Sequence, residues 1–194
     1  MPHRFALYFL LLISVASCTP QRHQEAAFPS RSITPSAYVS EPEISKILSF
    51  LTQDSLNGRA AGTRENQQVT RYLADYFSSL KLQPLLNQSF VNTFYTSEND
   101  SSYTISNVIG YLPGKTKPDE FILVSAHFDH VVSGYYNQKD KIYNGANDNA
   151  SGTTAMMMMA KHYALTGTNE RSIIFCGFNG EEMGLLGSLD LANK

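Results

Sequence analysis

The 194-residue chain has no tryptophan, only two cysteines and no block of like charge, and its 15 Lys+Arg against 17 Asp+Glu leave a formal charge of −2. Each scarcity excludes a class of protein. Two cysteines cannot build a disulfide scaffold. Near-neutral charge without a basic run offers nothing to a phosphate backbone, so no nucleic-acid partner is expected. A charged fraction of 16% is too low for an acidic disordered tail, and 42% hydrophobic content is too high for general disorder. The apolar run at 5–16 is shorter than the ~20 residues that a membrane-spanning helix needs. What remains is one ordinary domain, long enough to bury a core.

The chain opens with an address. Arg4 supplies a positive start, 5–16 the apolar run, and Val15-Ala16-Ser17 a small-residue cleavage site, so 1–17 read as a secretory signal. Cys18, directly after that site, resembles the bacterial lipobox. The likeness implies a lipidated Cys18, export, and tethering to the cell envelope through the lipid. From 18 to 42, Pro20, Pro29, Pro35 and Pro42 alternate with Ser30, Ser32, Ser36 and Ser40, the composition of an extended tether. The folded part is expected over 43–194.

Periodicity there predicts a helix over 43–51 and a second one capped by Thr63, with Val69, Leu73 and Phe77 on its apolar stripe. Segments 89–96 and 104–112 read as strands. The apolar runs FILVSA (121–126) and SIIFCGF (172–178) read as fully buried strands on either side of a helix at 151–165, and 183–193 reads as a further helix. Strand, helix and strand in that order form a right-handed βαβ unit with parallel strands. Their carboxyl ends then share one edge of the sheet, where open α/β folds bind ligands. His127 and Asp129 follow the first strand, Glu181 and Glu182 follow the second, and Asp148 precedes the crossover helix. Three distant stretches therefore converge on one edge.

One imidazole and several carboxylates make a mixed N/O donor set that suits zinc, and equally cobalt or manganese. Asp129 is placed to take the proton on the far ring nitrogen of His127. Asp148 has two oxygens and can bridge two ions. Glu181 and Glu182, as neighbours on extended backbone, should diverge, one toward metal and the other toward the attacking water. His130 and His162 are read as loop and packing residues, Met156 to Met159 as a buried helix segment, and Cys176 as a packed thiol. Tyr135 and Tyr136 receive no role.

The stretches SAHFDH (125–130), NGANDNASG (144–152) and GFNGEEMGLLGS (177–188) resemble the three metal-site motifs of metallopeptidase family twenty-eight, the co-catalytic di-zinc aminopeptidases. LNGRAAGTRENQQVTRYLADYF (56–77) resembles the family's leading Gly-Arg and Gly-Thr segment and first long helix. The resemblance implies a three-layer α/β/α fold with a mostly parallel mixed sheet over 43–194. His127 would bind one zinc, Asp148 would bridge both, and Glu182 would bind the other. Glu181 would be the general base, Asp129 would orient His127, and the Asp148–Asn149 peptide would be cis. The implied activity is a zinc exopeptidase of the aminopeptidase kind acting on peptides outside the cytoplasm. A glutaminyl cyclase of the same fold and a non-catalytic protease-like binding domain are the alternatives. The family adds an Asp and a late His after the Glu pair, whereas Asp190 is the sole acid after Glu182 here. The sequence is therefore expected to be the front portion of a longer protein, with its sheet incomplete at the C-terminal side, and neither active nor fully stable alone.

Overall fold

The computed structural model describes residues 38–98, 101–132 and 141–194. The signal segment, Cys18, the tether up to residue 37 and the Tyr135–Tyr136 pair lie outside the described residues. Helix α1 (Glu41–Leu51) carries Pro42 in its first turn, where the missing N–H has no helical partner to lose. Pro42 therefore opens the folded part rather than closing the tether. A short turn over Asp54–Arg59 leads to α2 (Arg64–Ser79). Thr63 caps α2, its Oγ1 accepting from the Asn66 N–H at 3.1 Å. Val69, Leu73 and Phe77 follow at helical spacing and are fully buried, each stabilising the fold by about 1.5–3 kcal/mol.

The remaining elements are β1 (Gln83–Pro84), β2 (Val91–Glu98), β3 (Ser101–Leu112), β4 (Lys117–His127), α3 (Ser151–Thr166), β5 (Arg171–Phe178) and α4 (Leu186–Ala192). They form a mixed sheet in the order β1-β3-β5-β4, with β2 also paired to β3. The parallel share of this sheet is confined to β4–β5, because β1, β2 and β5 all run antiparallel to β3. Strand β4, helix α3 and strand β5 form the expected βαβ unit. Its register places His127 opposite Phe178, so both strands end at one level.

Val108, Ile173 and Phe175 face a core filled from α1, α2 and α3 by Leu51, Leu73, Phe77 and Met157. A Lys161–Glu43 ion pair joins α3 to α1. On the opposite face of β3, Asn107 donates to the Gly187 carbonyl of α4 at 2.8 Å, since successive strand residues alternate sides.

Three expectations change. Among the described residues strand β4 stands at the edge of the sheet, and Phe121, Ile122 and Leu123 are 58%, 45% and 53% exposed. β5 lies between β3 and β4 and is buried along most of its length. An apolar run reports a strand's composition, not its rank in the sheet. The methionine segment is buried at Met156, Met157 and Met158 but exposed at Met159. Helix α4 starts later than its pattern suggests, after Gly184 and Leu185 adopt left-handed φ of 96° and 63°.

Candidate metal centre

The site forms where β4 and β5 end. His127 is the last residue of β4, and its carbonyl accepts from Thr153 Oγ1 in the first turn of α3 at 2.9 Å. Its Nε2 lies 2.9 Å from Asp148 Oδ1. Its Nδ1 lies 3.2 Å from the Asp129 main-chain oxygen and 3.7 Å from the Asp129 carboxylate. The closer partner of Nδ1 is thus the carbonyl. The fully buried Asp129 carboxylate instead accepts the N–H groups of Glu181 and Glu182 at 3.2 and 3.3 Å. Asp129 therefore ties the β4 end to the glutamate turn.

The Glu181–Glu182 pair sits in a tight turn rather than on extended backbone, with the Glu181 carbonyl accepting from both Gly184 and Leu185 at 2.9 Å. The two side chains still diverge. Glu181 lines a small cleft with His127, Asn149, Phe178 and Leu185. Glu182 Oε1 meets His130 Nδ1 at 2.8 Å. Asp148 stands between the two groups: it touches His127, and one of its oxygens shares a cluster, all within 4.8 Å, with ligand atoms of His130 and Glu182. The Asp148–Asn149 peptide is cis.

His130 is the residue the sequence reading passed over. Its donor atom reaches Glu182 across 52 residues of sequence, and no local spacing reports that. Arg59, on the turn before α2, was read only as part of a segment and proves to be buried beneath the site.

The Asp129 carboxylate beside the ring raises the His127 pKa to about 8; burial opposes it, and Glu181 and Asp148 add to it. Burial pushes the Cys176 thiol up, so it stays protonated and packed.

An imidazole and carboxylates gathered at the carboxyl ends of two parallel strands fit zinc by donor type, and they stand on a mixed, helix-flanked sheet. Residues 107–194 match the model of Peptidase family M28, which supports placing the chain in that family. A protein described as a "probable zinc metalloprotease" from Pyrenophora teres f. teres is 31% identical over 161 residues, covering 78% of this chain and 32% of that protein. The chain spans a third or less of the length of the first curated relatives it matches. In fold it resembles a glutaminyl cyclase from Fimbriiglobus ruber (TM-score 0.65, 20% identity, 86% of this chain and 59% of that one). It also resembles a zinc aminopeptidase from Bacillus subtilis (TM-score 0.60, 17% identity, 82% and 66%). Among the described residues, no helix is long and apolar enough to cross a membrane.

Proposed function

We propose that the chain carries part of the metal site of a zinc-dependent exopeptidase of the aminopeptidase type, exported and held to the cell envelope through a lipid on Cys18. The observation that carries this reading is the position of Asp148, in contact with His127 on one side and clustered with Glu182 on the other. His127, Asp148 and Glu182 would hold the metal, with Asp148 shared between two ions. Zinc, when bound, supplies Lewis acidity that polarises a peptide carbonyl and makes water more acidic. The chain's own residues do the rest. Glu181 faces the cleft, and its carboxylate takes a proton from the attacking water and delivers it to the leaving amine. Asp129 acts as a positioning residue, its buried carboxylate holding both glutamate N–H groups.

The test is hydrolysis of an aminoacyl anilide by the zinc-loaded protein. Glu181→Ala should lose about 10²- to 10⁴-fold in rate while zinc content, measured by atomic absorption, is unchanged. Undiminished activity in that variant would overturn the assignment of the base. Conversion of an N-terminal Gln peptide to pyroglutamate, with no anilide hydrolysis, would make the protein a cyclase instead.

A further inference from the structure

We propose that Arg59 is a positioning residue for the metal site, clamping the His127 and Asp148 loops together through main-chain carbonyls. The inference rests on the metal-site reading above. Arg59 is fully buried, and the partners of its guanidinium are carbonyl oxygens. Nε donates to Phe128 at 2.8 Å, and Nη1 to Leu51 at 3.0 Å and Asn144 at 2.5 Å. Nη2 donates to Gly145 at 2.8 Å and, more weakly, to Asp148 at 3.5 Å.

Those positions matter. Phe128 lies between His127 and Asp129, and Asn144 and Gly145 open the turn that ends in Asp148. One planar side chain thus bridges the segments that carry two of the three ligands, and anchors both to the end of α1. A guanidinium can do this because its five N–H groups fan out in one plane, whereas a lysine ammonium offers three donors at a single point. Burial lowers the Arg59 pKa, and the carboxylates of Asp129, Asp148 and Glu182 partly offset that.

The backbone is shaped to deliver it. Asn57, Gly58 and Arg59 take successive left-handed φ of 44°, 75° and 50°, which turns the side chain inward. A Cβ on Gly58 would lie 2.1 Å from the Val131 carbonyl oxygen, so the loop after β4 closes directly over this turn. On the far side a Cβ on Gly145 would stand 2.7 Å from Arg59 Nη2. The neighbouring glutamate turn has its own buried support. Asn66 donates to the Arg59 carbonyl at 2.9 Å and forms a reciprocal amide pair with Asn179 at 3.1 and 2.8 Å, two residues before Glu181.

The experiment compares the unmodified chain with Arg59→Lys, reading zinc affinity by calorimetry, the visible spectrum of bound Co²⁺, and melting temperature. Well below its own melting point, the variant should bind zinc about 10- to 100-fold more weakly, with a shifted cobalt spectrum. A lowered melting temperature with unchanged zinc affinity and cobalt spectrum would overturn the proposal and leave Arg59 a purely structural cation. An unmodified chain that binds neither ion would overturn the metal-site reading and this inference together, a result recognisable because parent and variant then fail alike. If Arg59→Lys does not fold, hydrogen exchange on the metal-free parent decides. Protection of the Arg59 Nε–H and of the amides at 127–130 and 144–149 is the expected result. Free exchange of those loops would overturn the clamp.

Discussion

As a metal ligand, the role proposed for it, His127 would serve two partners that want it in different charge states. Its pKa is raised to about 8 in the folded protein, above the ordinary histidine value of 6.5, so in the metal-free state it is a cation beside Asp129 and Asp148. The folded form therefore holds the proton more tightly than the unfolded chain. That stabilisation is present in full below about pH 6.5 and is lost as the pH rises through about 8. A metal ligand, by contrast, must be neutral. The chelated protein should therefore be less stable at pH 8.5 than at pH 6 by on the order of 1 kcal/mol, melting at a lower temperature, and zinc should bind more tightly over the same rise. Melting curves with and without chelator check both, and an opposite slope in the chelated protein would refute the pairing. Asn179 makes a second residue-level prediction. Asn179→Ala leaves the buried Asn66 amide without its reciprocal partner, at a cost of about 1–3 kcal/mol, measurable by urea denaturation.

Among the elements, β4–α3–β5 was the most legible, because two apolar runs flanking a helix-length segment leave few alternatives. Thr63 was legible as a cap for the same local reason. The exposure of Phe121, Ile122 and Leu123 was not, since a strand's neighbours are chosen by the rest of the fold. The turn over Asp54–Arg59 was also invisible: it follows no apolar period, and its conformation depends on Gly58. Gly58→Ala should destabilise the protein by more than about 2 kcal/mol, the left-handed strain adding to displacement of the Val131 carbonyl. A denaturation midpoint within error of the parent would show that the loop after β4 does not close on this turn.

At the scale of the molecule, the proposed ligands come from two strand ends and an intervening loop, so a metal held by them would couple its binding to folding. Zinc at about 100 times its dissociation constant should add about 2.7 kcal/mol, raising the melting temperature by about 5–10 °C for a domain of this size. Chelator should reverse the shift, and a melting curve indifferent to zinc would refute the coupling. The sequence by itself determined the chemistry of the candidate donors and their edge of the sheet, because the succession strand, helix, strand along the chain and the handedness of a βαβ unit are near-obligatory rules. It named His127, Asp129, Asp148, Glu181 and Glu182 by type and position. Only the tertiary structure decided that His130 meets Glu182 across 52 residues of sequence, and that Arg59 reaches Phe128 and Gly145 across 69 and 86. Such contacts leave no periodic trace in the chain, because they depend on how loops close over one another once the core has packed.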